Sequence, residues 1–287
     1  MNVLSLFNGM NTGRQALENV GIKVDKYYSS EIKPYAIQLT QHHFPDTVQV
    51  GDVTKWKDWD IEWGKIDLIL SGSPCQDLSA AGKRAGINGS RSSLFFVFVD
   101  ILNHIKSLNP KVLFLQENVG SAPKLDVGIM SRALGVYPVR INSSLVTAQL
   151  RDRYYWSNIR TKETMFDLVT DIPQPKDRNI LLKDIITSGF NKRKKSNCLT
   201  EGLIEKNTCK DIFTDNWQKY LKKRPQSMVI LIEENNLFRL PNKIEMCRLQ
   251  GFPDNYCDIL TTAKAGSLLG DGWTLPIIEH IFKYIKL

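Results

Sequence analysis

Over its first 120 residues the chain alternates short apolar runs with amphipathic stretches, and that rhythm limits the folds open to it. The apolar runs at 3–7, 26–30, 48–50, 66–71 and 111–116 read as strands. The stretches between them, 13–20, 33–43 and 94–107, carry apolar residues at helical spacing. Alternation of this kind predicts a parallel sheet with helices on both faces, an α/β fold. In such sheets ligands bind beyond the carboxyl ends of the strands, so the residues that follow each run matter most. Phe7-Asn8-Gly9-Met10-Asn11-Thr12-Gly13 follows the first, Glu31 the second and Gly51-Asp52-Val53 the third. Ser71-Gly72-Ser73-Pro74-Cys75-Gln76 ends the fourth and Glu117-Asn118-Val119 the fifth. Each strand end offers a turn glycine, a carboxylate or a nucleophile.

The rhythm returns over 137–159, where further strands are expected beside Gln149-Leu150-Arg151-Asp152-Arg153, and then fails. Helical patterning resumes around 277–285. We therefore expect a large domain from 1–158 plus 239–287 and a small one from 159–238. Charge supports the split. Residues 1–150 carry 15 Lys+Arg against 13 Asp+Glu, whereas 151–287 carry 23 against 17. The densest knot is Lys192-Arg193-Lys194-Lys195, a composition that suits a phosphate backbone or, more plainly, a solvated surface. The five scattered cysteines form no disulfide framework or zinc motif and fit a reducing cytosol. The apolar start reads as a core strand, not a signal peptide, and no run is long enough to span a bilayer, so no membrane partner is expected.

The glycine turn holding Gly9 and Gly13 is a loose nucleotide-type loop, weak alone. Glu31, 22 residues after Gly9, stands where an acid binds ribose hydroxyls. Asp52 could accept from an adenine amino group, and both acids could equally cap helices. Together they favour an adenosyl cofactor. Cys75 follows a Ser-Gly-Ser-Pro turn where an active site should lie, although cysteine is more often a small buried hydrophobe. Lys83, Arg84 and Arg91 follow, with glycines at 82, 86 and 89, like a mobile lid touching phosphates. Nearby positive charge favours a thiolate. Glu117 could be held protonated beside a ring nitrogen or cap a helix. Arg151 and Arg153 would share one face of an extended segment and could orient a carbonyl oxygen, or be surface arginines.

Taken in order, these motifs resemble the C5-cytosine-specific DNA methyltransferases over nearly the whole chain. The series is Phe7-Asn8-Gly9, Glu31, Gly51-Asp52-Val53, Ser73-Pro74-Cys75-Gln76, Glu117-Asn118-Val119 and Gln149-x-Arg151-x-Arg153. It continues with Arg248-Leu249-Gln250-Gly251-Phe252-Pro253-Asp254 and closes with Gly270-Asp271-Gly272-Trp273-Thr274-Leu275-Pro276. The first half looks closer to the animal de novo branch than to many bacterial restriction-linked enzymes. The resemblance implies a Rossmann-like S-adenosylmethionine-dependent methyltransferase sheet with a smaller target-recognition domain.

It also implies roles. Cys75 would attack carbon 6 of a flipped cytosine, Glu117 would serve N3, Arg153 would contact the base carbonyl and Arg151 would help hold it. The cofactor would touch Phe7, Met10, Thr12, Glu31, Ile32, Asp52, Val53, Gly72, Leu94, Asp271 and Trp273. Double-stranded DNA would meet Gln76, Lys83, Arg84, Arg91, Lys192, Arg193, Lys194 and Lys195. The implied protein is a cytoplasmic, nucleoid-associated monomer with S-adenosylhomocysteine as product. A cognate restriction endonuclease would be a genetic partner only. Asn11 and Thr12 depart from the family's glycine or alanine, Asp271 from its asparagine, and 239–242 only approximates an Arg-x-Leu-Thr-Pro pattern. Two rivals stand: a transfer-RNA cytosine-5 methyltransferase, a related branch with the same Pro-Cys chemistry, and an inactive DNA-binding relative.

Overall fold

A computed structural model describes residues 1–74, 93–200, 218, 231–232 and 238–286. The five expected strands form: β1 (Asn2–Leu6), β2 (Lys26–Ser30), β3 (Val48–Gln49), β4 (Leu68–Ser71) and β5 (Leu113–Val119). With β6 (Val139–Asn142) and β7 (Asp152–Ser157) they make a seven-stranded sheet ordered β3-β2-β1-β4-β5-β7-β6. The pairs from β3 to β5 are parallel, and β7 lies antiparallel to β5. Strand order reverses between β1 and β4, and ligands of open α/β sheets sit outside such a switch point.

The helices α1 (Thr12–Asn19), α2 (Pro34–His43), α3 (Ser93–Leu108) and α4 (Lys124–Leu134) connect or follow these strands. Helix α3 shows why the sheet holds. Phe95, Phe98, Ile101, Leu102 and Ile105 recur every three or four residues and are buried. They join one apolar cluster with Leu4, Leu6, Ile69, Phe114 and Trp156 of the strands. Burying each such side chain contributes roughly 1.5–3 kcal/mol. Gly13 allows α1 its close approach, because a Cβ there would run into Leu70.

The chain divides into two compact units, 1–141 with 152–174 and 279–287, and 142–151 with 175–278. This corrects the expected boundaries of 1–158, 159–238 and 239–287. Residues 159–174 stay with the sheet because they form the β8 (Thr161–Glu163) and β9 (Leu168–Thr170) hairpin, where the Tyr137 amide donates to the Leu168 carbonyl and the Tyr137 carbonyl accepts from the Thr170 amide. The second unit holds α5 (Lys243–Gln250) and α6 (Thr262–Asp271), and buried Gln149 donates to the carbonyl of Leu249 at 3.0 Å. A further helix, α7 (Leu275–Phe282), covers the patterned C-terminal stretch. Among the described residues no helix is long and apolar enough to cross a membrane.

Candidate active site

Register aligns the strand exits. Leu6 pairs with Ser30 on one side and Ser71 on the other, and Ser71 pairs with Gln116. Phe7, Glu31 and Gly72 therefore leave the sheet at neighbouring points, level with Glu117, which is still within β5. Phe7 turns sharply, with φ 54°, a left-handed conformation costing roughly 1–2 kcal/mol for a non-glycine residue.

Glu31 ties this turn to the second strand. Its Oε2 accepts from the Gly9 amide at 2.7 Å, and Oε1 accepts from the amides of Ile32 at 2.8 Å and Lys33 at 2.9 Å. The acid thus clamps the glycine turn and holds the two residues that lead into α2. A carboxylate has about four acceptor positions, so roughly one remains for a ribose hydroxyl. Asp52 caps a short 3-10 turn, its Oδ1 accepting from the Thr54 amide and hydroxyl at 2.9 Å each. The Thr54 hydrogen bonds hold the Asp52 carboxyl below the usual aspartate range. Ile32 is 70% exposed between these acids, whereas Met10 and Thr12 are buried. Val53 is buried as well, while Gly72 and Leu94 are half-buried.

At the end of β5 the two motif residues meet. Arg153 Nε lies 2.8 Å from Glu117 Oε1, both side chains largely buried. The pairing is diagonal across the β5–β7 ladder, in which Val119 opposes Arg153 and Glu117 opposes Tyr155. Arg153 Nη1 also donates to the carbonyl of Asp152 at 2.8 Å, which fixes the guanidinium. Next door, Gln116 Nε2 donates to Ser73 Oγ at 3.0 Å and to the Glu117 carbonyl at 2.7 Å. Gln116 thus fastens the turn that leads into Pro74 and Cys75. Sequence reasoning missed it, although a glutamine inside the apolar run Leu113-Phe114-Leu115 was the available signal.

A profile of C-5 cytosine-specific DNA methylases matches residues 1–132. The Type II methyltransferase M.NgoBV of Neisseria gonorrhoeae is 38% identical over 120 residues, 40% of this chain but 27% of its own length. The chain thus spans about a quarter of that relative. M1.ScrFI, a Type II methyltransferase of Lactococcus lactis subsp. cremoris, is 30% identical over 310 residues, covering 97% of this chain and 76% of its own length. This chain belongs to the C5-cytosine methyltransferase family. Its fold agrees with that of Entamoeba histolytica methyltransferase EhMeth, at TM-score 0.68 and 17% identity over 99% of this chain and 97% of that one. S. pombe Dnmt2 methyltransferase gives 0.66 and 17% over 99% and 98%.

The family's fold implies S-adenosylmethionine as cofactor, and the strand ends fit its adenosyl group. They present an unoccupied acceptor position on Glu31, an Asp52 Oδ2 that accepts nothing among the described residues, and the bare face of Ile32. The wholly buried Asn11 amide, at the head of α1, also has neither its donor nor its acceptor used.

Other expected residues fall elsewhere. Cys75, Gln76, Lys83, Arg84 and Arg91 lie outside the described residues. Asp271, exposed, and Trp273, half-buried, belong to the second unit. Arg151 is a correction. Strand β7 begins at Asp152, so Arg151 does not share its face with Arg153. Its buried guanidinium donates to Cys198 Sγ at 2.9 Å and to the carbonyls of Leu199 at 3.3 Å, Gly270 at 3.0 Å and Gly272 at 2.9 Å. With both terminal nitrogens so engaged it is a poor base contact. Lys195 is a second correction. Its ammonium donates to the carbonyls of Ser144, Thr147 and Ile180 at 2.7, 3.0 and 2.6 Å, while Lys192, Arg193 and Lys194 are exposed. Desolvation lowers the Lys195 pKa, as expected for an ammonium drawn into the protein.

Proposed function

We propose that the chain transfers a methyl group from S-adenosylmethionine to carbon 5 of cytosine in a nucleic acid, with duplex DNA as the first candidate substrate. The observation that carries the reading is the 2.8 Å Glu117–Arg153 pair at the end of β5, in the chain order the family uses. Bound S-adenosylmethionine supplies an electrophilic methyl group. Cys75, as thiolate, adds to carbon 6 of the ring, and Glu117 hydrogen-bonds or protonates N3 as negative charge enters the ring. Arg153 contacts the base carbonyl and, through Oε1, keeps the Glu117 carboxyl aimed. Loss of the carbon-5 proton and departure of Cys75 restore the ring. A stacked base cannot be reached this way, so the cytosine must leave its helix. Glu31, Ile32, Asp52, Asp271 and Trp273 are the residues proposed to hold the cofactor. Lys192, Arg193 and Lys194 are proposed to meet phosphates.

A transfer-RNA cytosine is the second reading. What favours it is the fold, which agrees with that of S. pombe Dnmt2 methyltransferase over 99% of this chain and 98% of that one. The test is methyl transfer from labelled cofactor to duplex DNA and to tRNA side by side, with trapping on 5-fluorocytosine substrates. The expected result is a denaturation-resistant adduct with one polymer, absent in Cys75→Ser. A wild type that forms no adduct with either, cofactor present, overturns the proposal.

A further inference from the structure

Helix α6 ends on Asp271, two residues before Trp273, and its last carbonyls need partners. The last four carbonyls of a helix have none within it. Here the Leu268 carbonyl accepts from the Gly272 amide at 2.7 Å, the Leu269 carbonyl from Gln250 Nε2, and the Gly270 carbonyl from Arg151 Nη2 at 3.0 Å. The same Nη2 reaches the Gly272 carbonyl at 2.9 Å, so one guanidinium nitrogen brackets Asp271 from both sides. Its charge also faces the negative end of the helix dipole. Gln250 completes the frame, since its Oε1 accepts from Thr274 Oγ1 at 2.9 Å. Thr274 in turn accepts from Ser143 Oγ at 2.8 Å.

From this geometry we infer that Arg151 is a positioning residue for the cofactor rather than a holder of the target base. It fixes the backbone of 270–272 and thereby the directions in which Asp271 and Trp273 leave it. The inference rests on the proposed cofactor role of those two residues. A lysine at 151 keeps the charge but has no planar fork with which to span two carbonyls.

The test is calorimetric titration of the full chain with S-adenosylhomocysteine, nucleic acid absent. Arg151→Lys is expected to weaken binding roughly tenfold, the loss of one charge-assisted hydrogen bond. In turnover its KM for S-adenosylmethionine rises to match, while kcat at saturation stays within about twofold, a split that general loss of folded protein would not produce. Cys198→Ala removes the Nη1 contact and the Sγ contact with the Leu199 carbonyl but leaves Nη2 on the carbonyls of Gly270 and Gly272, and is expected to bind like wild type. Arg151→Lys with unchanged affinity and a depressed kcat overturns the inference, as does an equal loss in Cys198→Ala. Should Arg151→Lys not fold, Gln250→Met frees the Leu269 and Gly272 carbonyls of the same frame and is expected to weaken binding about threefold. No weakening there overturns it too. A wild type that binds S-adenosylhomocysteine yet methylates neither polymer sinks the functional proposal and leaves this inference standing.

Discussion

At residue scale the chemistry concentrates on Glu117. Its carboxylate pairs with Arg153, which is fixed by the Asp152 carbonyl on its other side. Glu117→Gln keeps a donor of similar shape but can neither carry nor release a proton at N3. General acid–base groups contribute about 10²–10⁴-fold, so single-turnover methylation is expected to fall by at least about 100-fold. Cofactor affinity should change little, because no residue proposed to hold the cofactor bonds to Glu117. An E117Q rate within tenfold of wild type would remove Glu117 from the chemistry. Arg153 was legible in the sequence as the second arginine of its motif. Arg151 was not legible, because two residues of spacing imply a shared face only inside one strand, and the strand starts between them. Lys195 misled for a related reason: four consecutive basic residues look alike in sequence, and only the fold shows which ammonium finds three carbonyls.

At the scale of elements, helix α5 depends on an acid that the sequence did not single out. Asn242 and Glu245 form a reciprocal capping box at its start. Glu245 is 1% exposed, and its two oxygens also accept from Arg239 at 2.7 and 2.8 Å. The Thr187 amide donates to it at 2.8 Å. Burial pushes the Glu245 carboxyl up, but the Arg239, Thr187 and Asn242 hydrogen bonds outweigh it and hold the pKa below the ordinary 4.5. A folded-state pKa below the unfolded one stabilises the fold fully above the unfolded value and loses that contribution as pH falls through the folded value. Denaturant titrations should therefore show wild type losing stability below about pH 4.5 more steeply than Glu245→Gln. At neutral pH Glu245→Gln should be less stable by about 3 kcal/mol, since it leaves the largely buried Arg239 without its counter-charge. Parallel pH profiles for the two proteins would exclude this role. Element positions were more readable than such pairings. The five strands of the first 120 residues appear where apolar runs predicted them; β1, β2, β4 and β5 are buried along nearly their whole length, while the two-residue edge strand β3 is partly exposed. The end of β5 was misjudged by three residues, and the cause is non-local: Glu117, Asn118 and Val119 are strand because β7 pairs with them from more than 30 residues away.

For the whole molecule the governing quantity is charge, +8 overall and heavier in the second half of the chain. Neutralising Z phosphates of a duplex makes log K fall with log salt at a slope of about 0.9Z. Lys192, Arg193 and Lys194 are exposed, and the Arg193 side chain reaches Asn197 Oδ1 at 2.7 Å. Replacing all three with serine should weaken binding across sequences alike and reduce the slope by about 2–3, with melting unchanged. Lys195 is expected to behave oppositely. Removing its ammonium leaves the carbonyls of Ser144, Thr147 and Ile180 without that donor, so Lys195→Met should lower the melting temperature and leave the slope within about 0.5 of wild type. The two variants measured over one salt series separate a charge that meets solvent from one that holds the chain together. A Lys195→Met slope reduced by about 1, with melting intact, would return that residue to the nucleic-acid surface.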